Sequence, residues 1–276
     1  MTSASMTTEP EEQRRPLAFV SGGSSGIGRA CAFDLVARGY RVVIAARGAA
    51  RLNETRQALE AVAPGRAFSV VLDVTDVPGC QAVVDAVQAE HGPIELLVTS
   101  AGICEPGLFC DQPLEVLLEQ LATNYTGTLA LVHRVARTMR DRRSGTIVLV
   151  SSAMAFLGIH GYAGYAPTKF ALHGLAETLF TELHAHGISV SIAFPPDTDT
   201  PQYRHELQKK SAAAKVITAG GGLYTAEVVA ARIISQALRG KFRITHGPVV
   251  TFLGMFQSLI SPLVLRWQRY VVATTR

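Results

Sequence analysis

Short apolar runs recur along the first 195 positions of the chain, and longer segments with helical spacing separate them. Because a strand that is buried on both faces is apolar throughout, these runs predict a parallel sheet covered by helices on both sides. The predicted strands are LAFV, RVVIAA, AFSVVLDV, IELLVTS, GTIVLVSS and ISVSIAFP. The expected fold class is therefore α/β, with a single doubly wound sheet.

Length and composition favour one domain, since 276 residues with 48% hydrophobic content can bury one large core. We predict a flexible polar tail over 1–16, a doubly wound domain over 17–248 and an apolar and basic segment over 249–276. Within the domain, the alternation stops after the sixth strand. Residues 196–224 are polar and rich in Gly, which is typical of a substrate lid or a mobile loop.

Several function classes are disfavoured by the residue usage. The four cysteines show no CxxC spacing and the first residues are polar, so we expect a cytoplasmic protein without a signal peptide. His184 and His186 have no Cys or carboxylate ligands at metal-binding spacing, so no metal is expected. Basic residues are not interleaved with aromatic ones, and we expect no nucleic-acid partner.

The C-terminal region has an uneven charge. Residues 228–276 contain seven Lys and Arg residues and no Asp or Glu, and residues 248–267 are strongly apolar but interrupted by a proline. This pattern favours a helical lid or a segment at a membrane interface, with Arg266, Trp267 and Arg269 at the headgroup level. Packing at a subunit interface explains the same composition equally well.

The stretch SGGSSGIG, residues 21–28, lies between the first strand and the first helix. Its glycines Gly22, Gly26 and Gly28 follow the spacing GxxxGxG. A glycine-rich turn at this place lets the N-terminus of a helix approach a pyrophosphate. Tight packing of strand against helix is the alternative explanation, and the turn alone does not decide between the two.

Four polar residues further along the chain add to the picture. Tyr165 and Lys169 are spaced i and i+4 at the start of a predicted helix, so both reach a common ligand. Ser152 ends the fifth strand at the sheet edge where ligands bind, and Asn124 lies in a long helix before it. Taken singly, Tyr165 is more often a packing residue and Ser152 a turn residue; their joint spacing makes that combination improbable.

With these residues in this order, the chain resembles the short-chain dehydrogenase/reductase family over about residues 17–239. The glycine turn carries Ser21 where the family has Thr, Asp73 and Val74 follow the third strand, and the segment 195–200 matches as well. The resemblance implies a Rossmann-type fold, a nicotinamide dinucleotide cofactor and assembly as a homodimer or homotetramer.

The resemblance also implies the catalytic roles. A phenol with a pKa near 10 needs a nearby cation to work at neutral pH, and Lys169 would supply that cation and hold the nicotinamide ribose. Ser152 would donate a hydrogen bond to the substrate carbonyl, Tyr165 would give its proton to the developing alkoxide, and Asn124 would hold a water that relays protons.

The expected cofactor is NADP(H). The second strand ends at Ala46 and Arg47, where an acidic residue would bind the ribose of NAD, and a guanidinium suits a 2′-phosphate. A solvated charge at a strand end is the alternative for Arg47. The residues predicted to bind the cofactor are Ser21, Gly22, Ser24, Ser25, Gly26, Ile27, Gly28, Arg47, Asp73, Val74, Ala101, Gly102, Tyr165, Lys169, Pro195, Thr198 and Thr200.

One motif departs from the family pattern. After the fourth strand, where the family commonly has Asn-Asn-Ala-Gly, this chain has Thr99, Ser100, Ala101 and Gly102. The two small residues preserve the close backbone approach to a cofactor. Hydroxyls replace the side-chain amide that usually braces this region, so what braces it is open.

The segment FPPDTDTPQY, residues 194–203, points to the substrate. Its second proline and alternating Asp and Thr resemble the branch of the family that reduces the 3-keto group of a long-chain sphingoid base. We therefore expect a long-chain hydrophobic ketone as substrate and peripheral contact with the cytosolic face of a membrane. Asp197 and Asp199 would attract the ammonium of such a base or, more commonly, form turns.

Two other functions remain open. The first is reduction of another hydrophobic ketone, such as a 3-oxoacyl, steroid or retinoid compound. The second is a dinucleotide-binding sensor without turnover, which is disfavoured because all four catalytic residue types are present.

Overall fold

The computed structural model describes residues 15–275, so the predicted tail over 1–16 lies outside the described residues except at its last two positions. Seven parallel strands form the central sheet in the order β3-β2-β1-β4-β5-β6-β9, and this confirms the expected fold class. The strands are β1 Leu17–Ser21, β2 Arg41–Ala46, β3 Ala67–Val71, β4 Ile94–Thr99, β5 Gly145–Val150, β6 Ile188–Phe194 and β9 Arg243–Thr245.

Helices cover both faces of this sheet, as the apolar strands require. One face packs against α3, α5 and α6, and the other packs against α1, α2 and α9. The helices up to the sixth strand are α1 Gly26–Ala37, α2 Ala49–Val62, α3 Val77–His91, α4 Leu114–Leu121, α5 Gly127–Arg142 and α6 Ala166–Glu182. A π-helical turn, Ala122–Thr126, joins α4 to α5.

The strand order reverses between β1 and β4, which lie side by side at the centre of the sheet. In an open parallel sheet the crossovers leave in opposite directions at this point, so a crevice opens at the carboxyl ends of the two strands. The residues that follow β1 and β4 are those of the glycine turn and of the Ser100–Gly102 stretch. The fold thereby brings both predicted motifs to one crevice.

The segment 196–224, which we call the lid, is more regular than predicted. It contains a parallel pair of strands, β7 Asp197–Asp199 and β8 Leu223–Thr225, and two helices, α7 Pro201–Lys209 and α8 Ala212–Thr218. The sequence predicted a substrate lid or a mobile loop here without these elements, and side chains cap the two short helices. Thr200 accepts a hydrogen bond from the backbone N–H of Tyr203, and Ser211 accepts one from that of Ala214.

The chain closes with α9 Ala226–Ala237, strand β9 and the long helix α10 Gly247–Thr274. By length and composition alone α10 could cross a membrane, with a mean hydropathy of 1.7. It is kinked at Phe256, and both of its ends pack on the domain through Val250 and Val271. The helix starts two residues before the predicted boundary at 249, and the division of the chain at that point stays a prediction.

Candidate active site

The glycine turn packs backbone directly against backbone. A Cβ on Gly22, whose φ is +69°, would lie 2.7 Å from the Ala101 nitrogen, and one on Gly28 would lie 2.4 Å from the Gly22 carbonyl oxygen. Gly26 also has a positive φ, +53°, which L side chains disfavour. Packing or backbone conformation therefore requires a glycine at all three positions. Close packing and phosphate binding do not exclude each other, because they use different atoms of the same turn.

The start of α1 leaves donors for an anion. Ser25 is the N-cap residue, but its hydroxyl makes no capping hydrogen bond, and the first turn of the helix carries no acidic side chain. The unpaired N–H groups and the positive end of the helix dipole therefore face the crevice. This donor set, together with the glycine backbone, fits a pyrophosphate.

The crevice is a cleft of about 680 Å³. We call it the cofactor cleft. Of the predicted cofactor-binding residues, twelve line it: Gly22, Ser24, Ser25, Gly26, Ile27, Arg47, Val74, Ala101, Gly102, Tyr165, Lys169 and Thr200. The predicted residues Ser21, Gly28, Asp73, Pro195 and Thr198 are not among the residues that line it, and their contact with the cofactor stays a prediction.

Ser21 contributes to bracing the chain at the Thr99–Gly102 motif. Its Oγ accepts hydrogen bonds from the backbone N–H groups of Ser100 and Ala101, at 3.2 and 3.3 Å. The amide of Asn124 bonds both backbone groups of Ile103, at 2.8 and 2.9 Å. The hydroxyl of Ser21 and the amide of Asn124 thus brace the chain that follows β4.

The remaining predicted residues outside the cleft are held by local bonds. The carboxylate of Asp73 accepts from the backbone N–H and the hydroxyl of Thr75, and these bonds lower its pKa. The Pro195 carbonyl accepts from the Ala153 N–H, and the buried Thr198 hydroxyl donates to the Pro196 carbonyl. The hydroxyl of Thr198 thus already donates to the backbone, and contact of Thr198 with the cofactor stays a prediction.

Two arginines stand at one end of the cleft. Arg47 follows β2, as predicted, and Arg51 lies one turn further in α2; both side chains line the cleft. Sequence reasoning missed Arg51, because Arg47 lies before α2 and helical spacing does not relate the two residues. The cofactor cleft therefore carries two guanidinium groups at the end of β2, where an acidic residue would select NAD.

The catalytic candidates lie at the other end of the cleft. Tyr165 directly precedes α6 and Lys169 lies in its first turn, with the lysine Nζ 5.3 Å from the centre of the tyrosine ring. Ser152 follows β5, and its side chain and that of Gln202 are in hydrogen-bonding contact with Tyr165. The predicted triad of Ser, Tyr and Lys is therefore assembled in space.

Burial sets the protonation of this group. It raises the pKa of Tyr165 well above that of a free phenol, so the side chain is a neutral proton donor at physiological pH. Burial also lowers the pKa of Lys169 to about 8, and the ammonium donates to the Val150 carbonyl at 3.2 Å. Lys169 is therefore still charged near neutral pH, but its pKa lies only slightly above that pH.

Asn124 lies in the π-helical turn between α4 and α5, not within a continuous α-helix as predicted. Its amide donates to the Ile103 carbonyl and, at 3.1 Å, to the Thr168 hydroxyl. Both donor hydrogens are therefore in use. A water held here would have to donate to an oxygen of Asn124, and the proton relay stays a prediction.

The lid adds residues that sequence reasoning missed. Gln202 lines the cofactor cleft and a second cavity of about 600 Å³ next to it, and Glu206 and Lys210 follow at spacings of four. All three are at least partly buried although the segment is polar. The i, i+4 spacing was the available signal, but it has meaning only once α7 is recognised as a helix.

Two carboxylates that were predicted to attract an ammonium already have partners. Asp199 is exposed and bonds the guanidinium of Arg204 at 2.9 and 3.1 Å, and Asp197 lies 3.4 Å from the ammonium of Lys210. Within residues 15–275, no group of three or more His, Cys, Asp or Glu side chains is placed to hold a metal ion.

Ion pairs fasten the lid to the chain that follows β4. Glu105 accepts from His205 Nε2 at 2.8 Å and also pairs with the ammonium of Lys209. Both partners lie on α7, so one carboxylate holds the last turn and a half of this helix. The second cavity lies directly under these contacts.

Comparison with known proteins agrees with this geometry. The short chain dehydrogenase family model matches residues 16–212. A 3-dehydrosphinganine reductase of Danio rerio is 32% identical over 95% of this chain and 80% of its own length. A 3-ketodihydrosphingosine reductase of Bos taurus is 33% identical over 83% of this chain and 70% of its own length.

Solved structures agree as well. A short-chain dehydrogenase from Streptomyces avermitilis superposes with a TM-score of 0.79 at 27% identity, covering 96% of this chain and all of that chain. An actinorhodin polyketide ketoreductase with NADPH has a TM-score of 0.76 at 28% identity, with 84% and 96% covered. From the sheet, the cleft and these similarities, the chain belongs to the short-chain dehydrogenase family.

Proposed function

We propose that this protein reduces the 3-keto group of 3-ketodihydrosphingosine to the alcohol of dihydrosphingosine, with NADPH as the reductant. The observation that carries the proposal is the buried, neutral Tyr165 beside Ser152 and Lys169 at the end of the cofactor cleft. The substrate follows from the names of the relatives from Danio rerio and Bos taurus.

The choice of NADP(H) rests on the end of β2. Arg47 and Arg51 present two cationic groups there, where an acidic side chain would disfavour a 2′-phosphate. The pyrophosphate would lie on the N-terminus of α1, against Gly22 and Ser25. When it is bound, NADPH supplies the hydride.

The protein's own groups handle the proton and the developing charge. As hydride adds to the carbonyl carbon, Ser152 donates a hydrogen bond to the carbonyl oxygen and Tyr165 transfers its proton to that oxygen, which gives the alcohol. Lys169 stabilises the phenolate left on Tyr165, because an ammonium within about 6 Å in a buried site favours the charged form.

An apolar groove near the site suits a long alkyl chain. Its volume is about 1090 Å³, and it runs between α6 and the C-terminal half of α10, next to Tyr162 and Ala166. Its walls are formed mainly by Ile159, Phe170, Leu265 and Val272. Such a groove favours a lipid ketone over a small polar one.

We propose further that α10 lies on a membrane surface. Met255, Leu259, Leu263 and Tyr270 are about 70% exposed each and follow one another at helical spacing along one side. Because Val250 and Val271 hold both ends of the helix on the domain, a position in the plane of the interface suits it better than a crossing. The absence of acidic residues over 228–276 favours anionic lipids.

The experiment that tests the reaction is NADPH oxidation by purified protein with 3-ketodihydrosphingosine in detergent. We expect turnover that falls by about 10²–10⁴-fold in Tyr165→Phe, which lacks the proton donor but keeps the ring. Binding of NADPH to the variant should be unchanged.

A panel of 3-oxoacyl, steroid and retinoid ketones accompanies this assay. Turnover of those compounds without turnover of the sphingoid ketone would retain the chemistry and reject the substrate. Tight NADPH binding with no turnover of any ketone would instead favour a dinucleotide sensor.

A further inference from the structure

A buried carboxylate lies one helical turn from the side chain that contacts Tyr165. Glu206, on α7, has only 7% of its surface exposed. Gln202 donates to it at 3.1 Å and also contacts Tyr165, so a single side chain separates the carboxylate from the catalytic phenol. The hydroxyl of Tyr162 donates to the other oxygen of Glu206 at 3.4 Å.

This carboxylate has no cation of its own. Lys210 is the nearest candidate, and its ammonium bonds Asp197 and the Thr218 hydroxyl and lies over the ring of Tyr203. No side chain in the part of the chain that the structure describes forms an ion pair with Glu206. Asp197 and Lys210 are matched to each other, and the buried ammonium of Lys169 acts on Glu206 only through space, without an ion pair.

Leaving a buried carboxylate without a cation is costly, because burial removes the water that would solvate it. Burial accordingly raises the pKa of Glu206. Gln202 and Tyr162 donate hydrogen bonds to the carboxylate, but both donors are neutral and do not compensate its charge. A residue that packed only for stability would be better served by an apolar side chain, so the site suits a ligand that brings a positive charge.

The position of Glu206 relative to Tyr165 limits where the positive charge lies on the ligand. A carbonyl oxygen that accepts the Tyr165 proton lies within hydrogen-bonding distance of the phenol. A cation bound by Glu206 then lies one side chain away from this carbonyl oxygen. A charged group on the carbon next to the carbonyl would occupy that place. An α-amino ketone has its ammonium at that place.

Resting on the proposed function, we propose that Glu206 binds the 2-ammonium group of the sphingoid substrate and thereby selects α-amino ketones over plain ketones. Asp199 does not take this role, because it is exposed and occupied by Arg204. Asp197 does not take it either, because Lys210 already neutralises it. Glu206 is therefore a specificity residue, distinct from the groups that move the proton.

The test compares two substrates that differ only in the amine: 3-ketodihydrosphingosine and the matching long-chain 1-hydroxy-3-ketone without it. Wild type should prefer the amine-bearing ketone in kcat/KM. Glu206→Gln, which keeps the shape and loses the charge, should lower kcat/KM for the amine substrate about tenfold or more and leave the other within about threefold. Glu206→Asp should restore part of the preference, and Asp199→Asn should not alter it.

Two further outcomes keep the inference separate from the proposed function. Equal losses on both substrates in Glu206→Gln would overturn the inference and assign Glu206 a purely structural role. Binding of dihydrosphingosine, measured by calorimetry, gives a readout that needs no turnover: the affinity should fall in Glu206→Gln. Wild type that binds this amine through Glu206 but reduces no sphingoid ketone would reject the function and retain the amine site.

Discussion

Burial pushes the two central residues of the site in the same direction, toward their neutral forms. For Tyr165 this is useful, because a neutral phenol is the form that donates a proton. For Lys169 it is a constraint, because only the ammonium stabilises the phenolate that remains. The pH range of the enzyme is therefore limited on the alkaline side by the lysine.

Reduction should fall as pH rises through about 8. Below that value Lys169 carries its proton, and above it the cation is lost while Tyr165 is still protonated, so kcat/KM declines. The measurement is kcat/KM for the ketone from pH 6 to 10. In Lys169→Arg the charge persists to high pH, so the decline should move upward. A flat wild-type profile across this range would contradict the role given to Lys169.

Removal of Arg47 should reduce the preference for NADPH over NADH. The 2′-phosphate loses a charge-assisted contact in Arg47→Ala, and we expect the NADPH-to-NADH ratio of kcat/KM to fall about tenfold or more. Arg56→Ala is the matched control, because Arg56 lies on the helix α2 that follows Arg47 but bonds Asn53 outside the cleft. An unaltered NADPH-to-NADH ratio in Arg47→Ala would mean that the Arg47 guanidinium is solvated and does not bind the 2′-phosphate.

At this scale the sequence predicted residue types better than residue contacts. Tyr165, Lys169 and Ser152 were found because their spacing follows from helix geometry and from the ends of strands. The hydrogen bond of Thr198 to the Pro196 carbonyl and the buried Glu206 were missed, because local hydrogen bonds and the burial of a polar lid are decided by tertiary packing. Nothing in a single sequence reports those contacts.

At the scale of secondary-structure elements, the turn between β1 and α1 is the one most sensitive to an added Cβ atom. Three glycines allow the turn to lie against the chain that follows β4 and against itself. The contacts around Gly22 and Gly28 are backbone atoms, which cannot move aside as a flexible side chain does, whereas Gly26 faces the side chain of Thr200. A single methyl group is therefore expected to disturb the whole turn.

Gly28→Ala should abolish cofactor binding and destabilise the fold by about 1–3 kcal/mol, since its Cβ would lie 2.4 Å from the Gly22 carbonyl oxygen. Gly174→Ala is the control, because no atom lies within 4 Å of its Cβ and Ala favours a helix. Thermal unfolding and NADPH titration measure both effects. Normal NADPH affinity in Gly28→Ala would show that the turn can relax.

Element prediction succeeded where strands were long and apolar. The six predicted strands are present, whereas β9 was missed because it has three residues and begins with Arg243. Helix α7 was missed because it is polar, although Thr200 followed by Pro201 is a helix start signal. Polar helices that pack only through a few buried groups give weak periodicity, and their caps are then the better evidence.

At the scale of the whole molecule, our proposal assigns the exposed face of α10 to a lipid surface. The C-terminal helix is fixed at its ends and exposed in its middle, and its basic side chains have no acidic neighbours along 228–276. This arrangement favours the plane of an anionic membrane. A second copy of the chain is the alternative that the test must separate.

Leu259→Glu together with Leu263→Glu should abolish cosedimentation with anionic phospholipid vesicles, because two charges enter the apolar face. Val62→Glu on α2, also an exposed apolar position, is the control and should leave cosedimentation unaltered. Unchanged cosedimentation in the double variant would reject the membrane surface. A change from oligomer to monomer instead would assign this face to a second copy.

The ion pair of Glu105 with Lys209 and its hydrogen bond with His205 have a kinetic consequence. They are solvent-accessible charges at the rim of the cavity under α7, so each is weak on its own and is weakened further by salt. Any outward movement of α7 must break them, whereas proton transfer at Tyr165 is proposed for a buried site that salt screens much less. Raising the ionic strength should therefore speed ligand exchange more than it changes proton transfer. A salt titration would then distinguish movement of α7 from the chemical step without any mutation.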